Sequence, residues 1–346
     1  MHEREIITLM RGGLGEDENP EADFDHWPVP GSDVRLASSV DRTVHGDCPP
    51  GEPLDVWAYR GVNAALSDLA CAGVSLPAVQ LDLQIPRSAD PTMVTAIAAG
   101  VRHAIRINGA TLQNGCNTTF GPIALTTSVR GVGRRSQLPP GRTGAAPGDL
   151  VVVSRRPGRF NAALGHLNHP AGDVRPEWLP SALLGGLPEL ELGRLLVESE
   201  SITAVIDAND CLLITLADLA RGSEVGIDLD GSAVERLGEG LPEAVSLECL
   251  LGPPSGDLAL VMTLRPERFD DVRAAFARLD RRPWHLGRCT AARGQLTVDG
   301  RHSVAKAEVA QRRWSPSTAF RYPLPGLPEV VVHGQQGDPC VRRHGE

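Results

Sequence analysis

The sequence predicts a chain of mixed helices and strands divided into two domains, and three observations lead there. Its 346 residues exceed what one hydrophobic core usually organises. Its 41% hydrophobic content suffices for two cores, although aromatics make up only 4%, so packing must rest on Leu, Val, Ile and Ala. Segments of period 2 and period 3.6 follow one another, separated by Gly- and Pro-rich turns.

Residues 4–11 read as a short helix, and 12–31 as a mobile loop rich in Gly, Pro and acids. After a short run at 31–41 comes the helix at 57–73, in which Val62, Leu66 and Leu69 give a core face. Gly61, Ala64, Ala65 and Ala72 lie at helical spacing from Asp68 and form a small-residue face that invites another backbone. A carboxylate there loses hydration, so a cation or donor should meet it. The alternative, that Ser67 and Asp68 face solvent near the helix end, stays open on this segment alone. Residues 79–85 alternate as a half-buried strand, and 91–108 form a helix with Met93, Ile97, Val101 and Ile105 on one face. QNGCNTT reads as a turn, 122–132 as a strand, and 139–149 as a hinge into another strand starting near Leu150, so that the first domain ends near Gly148.

In the second half, 188–198 and 212–220 are helical, with a strand at 202–206 breaking at Asp207-Ala-Asn-Asp210. Strands are expected at 225–230 and 258–264, and a helix at 266–279 with Phe269, Val272 and Phe276 inward. Residues 284–287 and 295–298 suggest a closing hairpin. The expected division is 1–148, 149–314, and a Pro/Gly-rich tail at 315–346 with periodicity only at 330–332.

Composition excludes several functions. A net charge of -9 and few aromatics speak against nucleic acid. Lys306 is the sole lysine, and no GxxxxGK[ST] loop exists, so any phosphate is held another way. Seven scattered cysteines without CxxC fit reduced thiols. The charged MHEREIITL start and the lack of a long apolar run predict a soluble cytoplasmic protein without a membrane span. GxSxG, HExxH and GxGxxG are absent, and the His166/His169 pair lacks a third ligand.

Four segments present acid or amide groups at element ends: Gly31-Ser32-Asp33, Ser39-Val40-Asp41, residues 114–119, and Asp207 to Asp210. Each alone is what a turn or an N-cap would carry. Together with Asp68 they form a repeated pattern of carboxylates suited to Mg ions bridging phosphates.

The order of these segments resembles thiamine-monophosphate kinase and its superfamily, which includes aminoimidazole ribonucleotide synthetase, selenophosphate synthetase and the hydrogenase maturation carbamoyl dehydratase. The resemblance runs from Glu3 to about Gly300. The family's GDDAA is similar to Gly31-Ser32-Asp33-Val34-Arg35, TTDxxVEGVHF to residues 39–48, and NLSDIAAMG to residues 65–73. GGDTT resembles Gly115-Cys116-Asn117-Thr118-Thr119, RxGARPGDxVYV resembles 142–152, and MIDISDGL resembles 205–212.

The resemblance implies an α+β two-domain fold of the aminoimidazole ribonucleotide synthetase type, with N-terminal strands sharing a barrel across a dimer and ATP and Mg near that interface. A homodimer is also expected because the first-domain strands are too few to close a barrel alone. The implied assignment gives Asp33, Asp41, Asp68, Asp207 and Asp210 to the metals. Gly115, Asn117, Thr118, Ser67 and Arg142 fall to the nucleotide, and Asp68, Asp210 and Arg142 to catalysis. His45, Asp47 and Asp257 would face the substrate.

Ser32, Asn117, Cys211 and Gly256 stand where the family has acid, acid, glycine and acid. VEGVHF becomes Val44-His45-Gly46-Asp47-Cys48, and GGEDYEL becomes residues 254–260. The expected activity is therefore an ATP- and Mg-dependent phosphotransferase on a small molecule other than thiamine phosphate. The alternatives are an ATP-dependent synthetase or cyclase that activates an amide oxygen, and a nucleotide-binding subunit without catalysis.

Overall fold

The computed structural model describes residues 24–48, 51–168, 177–209, 211–239, 256–300 and 302–303. The readings at 4–11 and 330–332, together with His169 and Asp210, fall outside them. No helix among the described residues is long and apolar enough to cross a membrane.

The first half runs β1 (Asp25–Pro28), β2 (Val34–Val44), α1 (Leu54–Cys71), β3 (Ser75–Ile85), α2 (Pro91–Ile107), β4 (Thr111–Phe120) and β5 (Ala124–Arg134). Its strands form one sheet in the order β1-β2-β5-β3-β4. Asp90 caps α2 by accepting from the Met93 N–H at 2.8 Å, with Pro91 opening the helix. Two expectations change here. QNGCNTT is part of β4, because pairing with β3 overrides its local turn preference, and the end of the expected loop is β1, paired with β2.

The second half runs β6 (Leu150–Val153), α3 (Arg159–Asn168), α4 (Leu179–Leu183), α5 (Leu190–Glu198), β7 (Ala204–Asp207), α6 (Leu212–Gly222), β8 (Gly226–Leu229), α7 (Gly231–Leu237), β9 (Leu260–Leu264), α8 (Phe269–Ala277), β10 (Trp284–Thr290), β11 (Leu296–Val298) and β12 (His302–Ser303). The sheet order is β12-β11-β8-β10-β6-β9-β7. β10 and β11 are not a hairpin, since β8 lies between them, antiparallel to one and parallel to the other.

Helix α1 joins the two halves. It packs on β2 and β5 on one side and on α5 and β7 on the other. One core cluster accordingly contains Val62, Leu66 and Leu69 of α1 together with Leu192, Leu196, Val205 and Phe276. A second cluster fills the space between the seven-stranded sheet and α6 and α7. The small-residue expectation for α1 is met by close packing: a Cβ on Gly61 would lie 2.4 Å from Thr43 Cγ2, and one on Gly193 of α5 would lie 1.9 Å from the Ala70 carbonyl oxygen. At the far end of α1 the buried Arg35 guanidinium donates to Ala72 O at 2.5 Å and to Gln137 O at 2.9 Å. A cation at this end suits the negative pole of the helix.

Glu189 seats α5 against α1. Its carbonyl accepts from the Gly193 N–H at 2.8 Å. Its carboxylate receives Arg155 Nε at 2.6 Å, Ser154 Oγ at 3.1 Å and Arg281 Nη2 at 2.8 Å. Burial alone would raise its pKa, but the Arg155 charge and the Arg281 hydrogen bond and charge together hold it below the ordinary value. A lowered folded pKa means that this stabilisation is complete above the unfolded carboxylate's pKa and is lost as pH falls through the folded one. Glu189→Gln should therefore cost about 1–3 kcal/mol at neutral pH by removing the buried carboxylate that the half-buried Arg155 and Arg281 guanidiniums share. It should also flatten the acid side of the stability profile, as measured by urea unfolding at stepped pH.

Candidate active site

The described carboxylates come closest to a shared site where α1 meets the end of β7. Ser39, facing inward from β2, donates to Asp68 Oδ2 at 2.6 Å. Cys71 lies three residues beyond Asp68 and four beyond Ser67, so it shares their side of the helix. Burial pushes its thiol well above the ordinary value, and the charges of Asp207 and then Asp68 add to that rise. Cys71 thus sits within electrostatic reach of an acid from each half of the chain. Asp207 is buried at 6% exposure, while Asp68 is half-buried.

The strand-to-helix turn after β7 is firmly held. Ala208 N–H bonds Ala259 O at 2.7 Å, Thr215 Oγ1 donates to Asp207 O at 3.3 Å, and Cys211 caps α6 by accepting from the Ile214 N–H at 3.4 Å. The amino end of an 11-residue helix therefore opens next to Asp207, where its dipole favours anions. Ser67 is fully buried, and its Oγ has no hydrogen-bond partner among the described residues.

The two carboxylates and the hydroxyl oxygens fit a hard cation, and the helix amino end beside Asp207 fits an anion that such a cation would accompany. Among the described residues no cluster of three or more His, Cys, Asp or Glu could hold a metal by itself.

Other expected residues lie elsewhere. Asp33 is exposed in the turn before β2, eight residues from Asp41, which at strand spacing is about 26 Å. In one chain the two cannot share an ion. Ser32 helps form that turn, donating to Val29 O at 3.1 Å and accepting from the Val34 N–H at 3.2 Å. Asp41 is half-buried and accepts from the Arg42 N–H at 2.6 Å. Gly115, Asn117 and Thr118 lie on β4, with Asn117 and Thr118 exposed and in register with Asp82 and Leu83. β4 is three strand positions from β2, about 14 Å, so this chain alone does not bring Asn117 to Asp68.

Arg142 lies between the carboxyl end of α6 and β7: its carbonyl accepts from Ser223 Oγ at 2.9 Å, and the Gly141 carbonyl just before it accepts from the Val205 N–H at 2.6 Å, two residues from Asp207. Asp257 is buried at the amino end of α3 and accepts from the Gly158 and Phe160 N–H groups at 2.6 and 3.2 Å. Burial raises its pKa, and its oxygens are spent on the helix rather than offered to a substrate.

His45 and Asp47 form a short 3-10 turn (His45–Asp47) in which Asp47 is exposed and His45 Nε2 lies 3.2 Å from Glu52 O. Glu52 in turn pairs with Arg60, whose guanidinium stands 4.3 Å above the Phe160 ring. Glu52, Arg60 and Phe160 were not singled out from the sequence. The only signal for Glu52 there is an acid just before a helix, which usually means a favourable helix-end charge.

Comparison with known proteins now bears on this geometry. No family model matches the chain. The thiamine-monophosphate kinase of Halobacterium salinarum is 30% identical over 260 residues, covering 73% of this chain and 83% of that enzyme. The chain belongs to the thiamine-monophosphate kinase family. This is a family of ATP-dependent kinases. Among solved structures, AaThiL complexed with AMPPCP and TMP superposes with a TM-score of 0.72 at 19% identity, over 88% of this chain and 95% of that one. The hydrogenase maturation protein HypE in complex with ATP superposes at 0.60 and 18% identity, over 83% and 85%. The fold of this thiamine-monophosphate kinase relative is thus the α+β aminoimidazole ribonucleotide synthetase type.

The placement of Cys71 predicts its reactivity. In the native protein Cys71, Cys211 and Cys289 are buried and Cys116 is exposed. Iodoacetamide followed by peptide mass mapping should leave Cys71, Cys211 and Cys289 unmodified until denaturant is added; prompt labelling of Cys71 would contradict the packing of α1 against β7.

Proposed function

We propose that the chain is an ATP- and Mg-dependent phosphotransferase acting on a small molecule other than thiamine phosphate. The observation that carries the catalytic part is the convergence of Asp68 and Asp207 from the two halves of the chain around Cys71, beside the amino end of α6. In this reading Asp68 and Asp207, with Asp210 three residues after the latter, hold Mg, and Ser39 fixes the orientation of Asp68. When bound, Mg supplies neutralisation of the charge that builds on the transferring phosphoryl group. The protein's own part is positioning: one carboxylate on a rigid helix, one at a pinned strand end, and a helix dipole directed at phosphate.

The reading of the acceptor rests on the segments 44–48 and 254–260, whose family residues are replaced. The proposal includes a homodimer. β4 is an edge strand, and Leu112 and Phe120 on it are 55% and 57% exposed. A second copy along this edge would cover them and set Asn117 and Thr118 at an intersubunit nucleotide site. The free described cysteines accord with a cytoplasmic setting.

The test is turnover of ATP with Mg against a panel of phosphomonoesters and alcohols that includes thiamine monophosphate, with products read by phosphorus NMR. Transfer to a member of the panel other than thiamine monophosphate is expected. Asp68→Asn should lower kcat by about 100-fold or more without lowering Tm, since it removes a metal-facing charge on a helix whose packing is untouched. Efficient use of thiamine monophosphate would overturn the acceptor assignment, and an active Asp68→Asn protein would overturn the metal site.

A further inference from the structure

Asp68 lies in the last turn of α1, which ends at Cys71. The closing turn of a helix is where backbone groups run out of partners and the chain frays. Here the turn is held group by group. Ala72 N–H bonds Asp68 O at 3.2 Å and Gly73 N–H bonds Ala70 O at 3.1 Å. Gly73 then turns the chain with a φ of 59°, and a Cβ there would fall 2.5 Å from Val197 Cγ2 of α5. The Ala72 carbonyl is taken by Arg35 Nη2 of β2 at 2.5 Å.

Arg35 is a costly residue for that task. It is 1% exposed, its Nε donates to Gln137 O at 2.9 Å, and its Nη1 has no hydrogen-bond partner among the described residues. A buried guanidinium without a carboxylate beside it lowers stability, and the negative pole of a helix offsets this only in part. The sheet is nonetheless shaped to admit it. Gly133 of β5 is in register with Arg35, and a Cβ there would fall 2.7 Å from Arg35 Cζ. Two residues earlier on the same face, Gly131 makes room for Val74 just past the helix exit, since a Cβ there would fall 2.4 Å from Val74 Cγ2. The family's GDDAA has alanine where Arg35 stands, so this contact is particular to the chain.

Arg35 and Ser39 share the face of β2 that looks toward α1, and the strand runs against the helix. Ser39 meets the Asp68 carboxylate, and Arg35 meets Ala72, one turn later on the helix. The two strand residues are about 13 Å apart and the two helix residues about 6 Å along the axis, a difference that the long arginine side chain spans. One strand thus grips the final turn at two points, the carboxylate itself and the backbone beyond it. A contact to the carboxylate alone would leave the turn free to unwind beneath it. We propose that Arg35 is a positioning residue for Asp68, clamping the final turn of α1 to β2 so that the carboxylate keeps its orientation toward metal and phosphate. This rests on the phosphotransferase reading.

Calorimetry of the full chain tests it, reading the apparent Mg affinity with a saturating non-hydrolysable ATP analogue present, with Tm recorded alongside. Arg35→Met keeps the length of the side chain and removes its donors, and it should weaken Mg binding about tenfold. In an Asp68→Asn background the same substitution should change the affinity by less than about twofold, because no carboxylate is left to position. A merely structural role would give the same loss in both backgrounds. Arg35→Lys, which can still reach the Ala72 carbonyl, should recover most of the affinity. Gly133→Ala displaces the guanidinium while leaving Arg35 in the sequence; its added methyl meets the far end of a flexible side chain, so this variant should fold and lose Mg affinity even if Arg35→Met does not fold. Parent-like Mg affinity in Arg35→Met or in Gly133→Ala, or equal losses with and without the Asp68 carboxylate, each overturn the positioning role while nucleotide binding stands. Absence of Mg-dependent nucleotide binding in the parent protein overturns the phosphotransferase reading itself.

Discussion

The position of α1 between the two sheets is the constraint on which the other features depend. Its residues belong to one core cluster with strands and helices from both halves, and the Gly193 contact brings α5 within reach of its backbone oxygen. A helix held this closely cannot slide or rotate without opening both interfaces. Asp68 and Glu52, a helix residue and one that precedes the helix, inherit their positions from that packing. Glu189 reinforces it from the other side by tying the start of α5 to Ser154, Arg155 and Arg281.

The same constraint explains how acids can sit near one another without clustering into a metal cage. Asp68 keeps one partner in Ser39 and is only half-buried, whereas Asp207 sits at the end of a fully buried strand. Asp207 beside the amino end of α6 would, in the proposed enzyme, suit a cation that arrives with phosphates better than a cation alone. In the proposed enzyme, the replaced acids at Ser32 and Asn117 matter less to this centre than their places in the family motifs suggest. Ser32 is engaged in a turn, and Asn117 is on an edge strand across the sheet.

Much of the fold was legible in the sequence where periodicity was strong. α1, α2, α5 and α6 and strands β3, β5 and β7 all lie where alternation or helical spacing put them. β4 was not legible, because Asn, Gly and Cys carry turn signals locally and become a strand only through pairing with β3. The 284–298 region misled for a related reason: two strands near in sequence accept β8 between them, and nothing local announces the intervening partner. Asp68 was legible as an acid on a small-residue helix. Its relation to Ser39 and Cys71 was half visible, since both lie in segments singled out by spacing. Asp257 shows the limit, for a motif position does not fix whether backbone N–H groups already occupy a carboxylate's oxygens. Glu52 had only the weak signal of an acid before a helix, because its partner Arg60, stacked on Phe160, reaches it only in the folded chain.

The central claim is that Asp68 of α1 and Asp207 of β7 act on one Mg-nucleotide site. A double-mutant cycle on the affinity of Mg with a non-hydrolysable ATP analogue, using Asp68→Asn, Asp207→Asn and the double variant, tests it directly. If the two share an ion, the second substitution should cost much less once the first is made, a coupling of about 1 kcal/mol or more. Strictly additive losses, or no loss from either substitution, would contradict it.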